Sequence, residues 1–185
     1  MSSIFDVRCV HRPNPNIIGL TEVNPKSSTW KLTPQELTLD SYALYSNLDG
    51  RGSVLYVKDQ LQSVELHVTC KSSVWCSLKL KGNDVLLIGV LYRSPGSTVC
   101  ENDMFIEQFS RVLKEKHSHM LIMGDFNYPE IDWKLQISRA SSNHPSQDFI
   151  LSYKDWFLYR LYPGIAPGWG YYFKPTKTKN PEKKN

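Results

Sequence analysis

The chain has no long apolar run: nothing in its 185 residues approaches the roughly 18–20 consecutive apolar positions a membrane-spanning helix needs. Met1 to Arg12 contains neither an apolar core nor a small-residue cleavage site. The expectation is therefore no export signal and an intracellular protein, nuclear or cytoplasmic, with no membrane partner. Cysteine is sparse. Cys9, Cys70, Cys76 and Cys100 form no C-x-x-C pair, and none has His or Cys at zinc-finger spacing. Four reduced thiols without a disulfide partner are expected.

A basic surplus is missing from the body of the chain as well. Lys174–Asn185 holds five of the 22 basic residues and one of the 18 acidic ones, which leaves 17 of each sign in residues 1–173. The net charge of +4 thus belongs to a Lys/Pro tail and makes no electrostatic case for nucleic acid. What is present is core material. Hydrophobic residues are 41% and aromatics 12%, which suits one folded domain and not a disordered chain.

Short apolar strands and helices alternate along the chain. Ile17 to Thr21 is a compact apolar run ending at Glu22. Thr33-Pro34-Gln35-Glu36 reads as a helix start, with a Thr cap, a first-position Pro and a Glu three residues on. Tyr42–Ser46 and Ser53–Lys58 read as strands around the turn Leu48-Asp49-Gly50-Arg51-Gly52. Gln62–Val68, Val74–Leu80 and Val85–Tyr92 follow, the last two joined by a hairpin-type connection at Lys81-Gly82-Asn83-Asp84. Phe105, Ile106, Phe109, Val112 and Leu113 fall on one helical face. Met120–Met123 is a buried strand. A second helix is expected with Ser146 as its cap, burying Phe149, Ile150, Tyr153 and Trp156 or Phe157. From Leu161 the Pro/Gly-interrupted, Tyr/Trp-rich run has no period and is expected to be irregular. The pattern is α/β.

The densest candidate site is GDFNYPEIDW, Gly124 to Trp133. Alternation along an extended segment puts Asp125 and Asn127 on one side and Phe126 on the other. After a buried strand, that pair sits where α/β sheets carry their sites, although an Asx-rich turn helped by Pro129 accounts for the same letters. Glu22 ends another apolar strand and is a plausible oxygen ligand for Mg²⁺, or simply an exposed strand-end carboxylate. Tyr92 ends a third strand, with Arg93 beside it. A phenol and a guanidinium there could contact a phosphate, or the Tyr could pack at a sheet rim.

IIGLTEV, RGSVLYVK, LYRSPGS and GDFNYPEIDW occur in this order. The series resembles the endonuclease/exonuclease/phosphatase family, and within it the endonucleases of non-LTR retrotransposons, over about residues 15 to 157. The resemblance implies two facing mixed β-sheets with outer helices, a partial four-layer sandwich. It implies a polar lead at 1–14, a partial domain at 15–158 and a divergent segment with a Lys/Pro-rich tail at 159–185. Mg²⁺ (or Mn²⁺) would be the cofactor and DNA the substrate. Glu22 would hold the metal and Asp125 would orient or deprotonate the attacking water. Asn127 would hold a phosphate oxygen, Tyr92 would hydrogen-bond the scissile phosphate, and Arg93 would add a weak phosphate contact.

Two parts of the family pattern are not found. Asn14 and Asn16 lie in a Pro-rich stretch, where relatives have a strand carrying a metal-site Asn. No Ser-Asp-His segment occurs, and no histidine follows His144. His117 and His119 precede the Met120 strand and so belong at its other end from Asp125. The implied activity is therefore weak or lost, with uncovered sheet edges. The alternatives are a decayed or domesticated remnant that only binds, or a relative acting on phosphoinositides or sphingomyelin.

Overall fold

The structure, a computed structural model, describes residues 15–26, 30, 32–68, 73–155, 159–160 and 169–174. Three strands form the first sheet: β1 (Ile17–Thr21), β2 (Tyr42–Asn47) and β3 (Ser53–Lys58), in the order β1-β3-β2 and antiparallel throughout. The second sheet has six strands: β4 (Ser63–Leu66), β5 (Ser73–Lys79), β6 (Val85–Tyr92), β7 (His119–Asp125), β10 (Tyr159–Arg160) and β11 (Trp169–Lys174). Their order is β10-β11-β7-β6-β5-β4. Among the described residues, only β6 and β7 run parallel in it. Two-residue strands β8 (Ile131–Asp132) and β9 (Ile137–Ser138) pair in the segment after β7.

Near-continuous apolar runs, whose successive side chains point to opposite faces, explain why the second sheet is buried on both faces. Ile88 and Val90 of β6, with Val74, Cys76 and Leu78 of β5 and Met123 of β7, meet Leu55 and Val57 of the first sheet. The opposite residues, Leu87 and Leu91 of β6, Trp75, Met120 and Ile122, meet α1 (Val99–Val112) and α2 (Pro145–Asp155). Each such fully buried large side chain contributes about 1.5–3 kcal/mol relative to exposure. Core burial also pushes the Cys76 thiol up to about 12, so it stays an inert apolar filler.

The parallel pair is joined through α1, a strand–helix–strand unit. Thr98 caps that helix: its hydroxyl accepts from the Glu101 backbone N–H at 3.3 Å, and the Glu101 carboxylate accepts from the Thr98 backbone N–H at 2.7 Å.

The architecture is α/β, as expected, with four corrections. The first sheet is antiparallel, not mixed, and among the described residues both helices lie on the second sheet alone, giving three layers. Pro34–Leu37 starts with the expected Thr33–Glu36 bonds but ends after one 3-10 turn. It buries no residue, so no packing offsets the cost of nucleation. The second helix begins at Pro145, with Ser146 inside its first turn, where the hydroxyl is buried against Ser138 and His144 at 2.7 Å each. Trp156 and Phe157 lie outside the described residues.

The fourth correction concerns the segment expected to be irregular. Trp169–Lys174 is a strand whose Cα partners in β7 run from Trp169↔Asp125 to Lys174↔Met120. Its aromatic-rich sequence suits a pleated strand. Without it, β7 would present a row of unpaired N–H and C=O groups.

Candidate active site

Parallel pairing of β6 and β7 makes Tyr92 and Asp125 Cα partners at the C-terminal ends of both strands. β1 crosses the same two strands at Gly19, where an added Cβ would lie 2.8 Å from Val90 Cγ2 and 3.0 Å from Met123 Cε. That close approach carries Glu22, one residue beyond β1, over Tyr92. The Tyr92 hydroxyl donates to Glu22 Oε1 at 2.9 Å. Glu22, Tyr92 and Asp125 are thus gathered from three strand ends.

The backbone is bent to aim these groups. Glu22 has φ +57° and Asn127 φ +47°, left-handed conformations that cost a side-chain-bearing residue free energy unless the surroundings enforce them. Asn127 is held from both directions: its N–H donates to Asp125 Oδ1 at 3.1 Å and its amide NH₂ to the Arg93 carbonyl at 2.7 Å. Phe126, between them, faces the other way, as alternation predicts. It is buried with ring centroids 5.0 Å from Phe149 and 6.3 Å from Phe105. Gly124 permits the turn into this segment. Its φ is +145°, and a Cβ there would lie 1.9 Å from the Leu91 carbonyl oxygen.

Burial, reinforced by the Glu22 and Asp125 carboxylates and opposed by Arg51, pushes the Tyr92 phenol up to about 12. The group is a hydrogen-bond donor at neutral pH.

Arg93 is a correction. Its side chain is buried, with Nε donating to Asn102 Oδ1 at 2.6 Å and Nη1 to the Asn127 carbonyl at 2.7 Å. Its guanidinium stacks 3.9 Å from the Tyr128 ring centroid. With the Arg93 backbone N–H also bonded to the Asp125 carbonyl at 2.9 Å, this residue ties α1 and the Asp125–Tyr128 loop to β6. Its Nε and Nη1 donors are thus committed to protein acceptors rather than left for a phosphate.

Sequence inspection also missed Arg51 and Asn24. Arg51 Nε donates to Glu22 Oε1 at 3.1 Å, and Nη1 donates to the Asn24 carbonyl. Buried Asn24 anchors that turn in return, with its amide on the Leu48 and Gly50 carbonyls at 2.8 and 3.1 Å and its N–H on the Arg51 carbonyl at 2.9 Å. The available signal was an arginine between two glycines in a tight turn. Beside it opens a hollow of about 310 Å³ between residues 49–53, Tyr92–Ser97 and α1. His119 sits at the start of β7, beside Asp84 and at the far end of the strand from Asp125.

A sequence profile of the Endonuclease/Exonuclease/phosphatase family matches residues 7–183. The chain belongs to this family. The matched span includes β11. No curated protein matches. Among solved structures, the endonuclease domain of TRAS1, a telomere-specific non-LTR retrotransposon, superposes with a TM-score of 0.55 at 13% identity, covering 75% of this chain and 67% of that one. A humanized D. rerio TDP2 gives a TM-score of 0.49 at 14% identity, covering 90% and 71%. The human Nocturnin catalytic domain with bound sulfate gives 0.47 at 12% identity, covering 86% and 69%. The TRAS1 likeness shows a shared fold.

Proposed function

We propose that this family member is a divalent-metal-dependent phosphodiesterase acting on DNA, of the kind encoded by non-LTR retrotransposons. The observation that carries this is the meeting of Glu22 and Tyr92 beside Asp125 at the ends of three strands. The motif series and the TRAS1 domain's fold favour DNA over lipid phosphodiesters.

The donors suit Mg²⁺ or Mn²⁺. Among the described residues no three of His, Cys, Asp and Glu cluster, which disfavours zinc. Mg²⁺ characteristically takes one or two carboxylates and completes its shell with water and phosphate. Thr21 Oγ1 and Ser53 Oγ, on Cα partners of β1 and β3 next to Glu22, are buried without a protein hydrogen-bond partner. Ordered water there would satisfy them. Glu22 would hold the ion, which when bound offsets phosphate charge.

The chain's own groups have separable tasks. Asp125 orients and deprotonates the attacking water. Tyr92, protonated at neutral pH, donates to a phosphate oxygen as charge accumulates there. Asn127 fixes the Asp125 carboxylate through its N–H, and the amide hydrogen not held by the Arg93 carbonyl is the donor left for the phosphate. The 185 residues contain no Ser-Asp-His segment, so slow turnover is expected of this polypeptide by itself. Plasmid nicking in Mg²⁺ tests the proposal. Slow, metal-dependent nicking that disappears in Asp125→Ala supports it. Preferential hydrolysis of phosphoinositide or sphingomyelin would contradict the DNA assignment.

A further inference from the structure

The Glu22 carboxylate already has a cation. Arg51 Nε lies 3.1 Å from Glu22 Oε1, the same oxygen that accepts from Tyr92, and the two side chains are only 24% and 21% exposed. Solvent screens such a pair incompletely. The arginine is built in, not draped over the surface. Its guanidinium and carbonyl both bond Asn24, and Asn24 grips the turn on either side of Gly50. Gly52, at φ +76°, brings the turn so close that a Cβ would lie 2.6 Å from Val23 Cγ2.

We propose that Arg51 is a built-in competitor for the metal: it holds Glu22 in the metal-free protein and must let go before a divalent ion binds. This rests on the assignment of Glu22 as metal ligand. An ion at Oε1 would sit against a fixed positive charge, so the guanidinium has to move, and the lost ion pair is subtracted from metal affinity. A substrate phosphate offers the displaced guanidinium a charge-assisted acceptor. Metal and phosphodiester consequently bind with positive coupling, each favouring the Arg51 position that suits the other. The site is kept weak for free metal and strengthened by substrate.

Mn²⁺ binding to the full 185-residue chain, read by electron paramagnetic resonance without turnover, tests this directly. Thermal unfolding of each variant confirms that it is folded. Arg51→Gln is expected to bind Mn²⁺ at least about tenfold tighter than the parent, a change of about 1.4 kcal/mol. Arg51→Lys, which keeps the charge, stays near the parent, and Glu22→Gln loses binding. A non-cleavable phosphodiester raises Mn²⁺ affinity by a larger factor in the parent than in Arg51→Gln, where only the phosphate's own ligation of the ion remains. Arg51→Met, which preserves the stem, replaces Arg51→Gln if that variant unfolds. If the folded neutral variant binds Mn²⁺ no tighter than the parent while Glu22→Gln abolishes binding, Arg51 is not a competitor, although Glu22 remains a ligand. If Glu22→Gln binds as well as the parent, or no variant binds, the ligand assignment fails and the Arg51 proposal with it.

Discussion

Glu22 and Tyr92 stand 70 positions apart in the sequence and meet through a 2.9 Å hydrogen bond. The contact depends on two long-range arrangements: β1 crossing β6 at Gly19, and β6 and β7 lying parallel so that Tyr92 and Asp125 end side by side. Anything that shifts either one dismantles the site without touching its chemistry.

Gly124 is the most sensitive such point. Alanine there would combine an unfavourable φ with a Cβ 1.9 Å from the Leu91 oxygen. Overpacking alone costs about 1–3 kcal/mol. Gly124→Ala should lose at least about 3 kcal/mol in urea unfolding, counting the φ penalty as well.

Arg93 is expected to act on stability. Arg93→Met leaves the half-buried Asn127 carbonyl without this donor and Asn102 Oδ1 with only the Tyr128 hydroxyl at 3.2 Å, at about 1–3 kcal/mol for each under-satisfied acceptor. Urea unfolding should show a loss of about 2–5 kcal/mol. Arg93→Lys should not rescue it, because an ammonium lacks the planar fork and the stacking on Tyr128.

Tyr92 and Tyr128 should ionise late. Burial is the main cause in both, and each phenol is pushed up to about 12. For an acid with a raised folded value, the unfolded chain loses its proton first, near about pH 10. The neutral phenols thus contribute full stability below that pH, and the contribution is lost as pH climbs from about 10 towards 12. Ultraviolet phenolate titration of Tyr92→Phe should show one fewer late-titrating group than the parent.

The β11–β7 ladder can be broken through the backbone alone. Tyr171 pairs with Met123 inside a strand flanked on both sides. Tyr171→Pro removes a backbone N–H from a paired strand and should lower stability by at least about 1 kcal/mol in urea unfolding. Gel filtration should also show association through the exposed β7 edge. An unchanged monomer of parental stability would mean that this strand contributes nothing.

Much of this was legible locally. Strand limits at Ser53–Lys58 and Val85–Tyr92 follow from short apolar runs bounded by turn residues and need no tertiary information. Phe126 could be assigned inward because Asp125 and Asn127 flank it. What was not legible depended on partners distant in sequence. Arg93 read as a phosphate contact because Asn102 and Tyr128, which engage its guanidinium, lie elsewhere in the chain. Arg51 looked like a turn residue because the Glu22 carboxylate arrives from another strand. Trp169–Lys174 has no period of its own, and the β7 edge supplies its order.

Hydrolysis of the p-nitrophenyl ester of thymidine monophosphate tests the central assignment most directly. Its leaving group departs as an anion, so the substrate places little demand on a proton donor and reports on water activation and phosphate stabilisation. Glu22, Tyr92 and Asp125, acting as one site, predict Mg²⁺-dependent release of p-nitrophenolate. The rate should fall by about 100-fold or more in Asp125→Asn, the range for loss of a single acid–base group. It should also fall steeply in Glu22→Gln, which removes the carboxylate that would hold the ion. Release that is independent of Mg²⁺, or equal in the parent and both variants, would contradict the account.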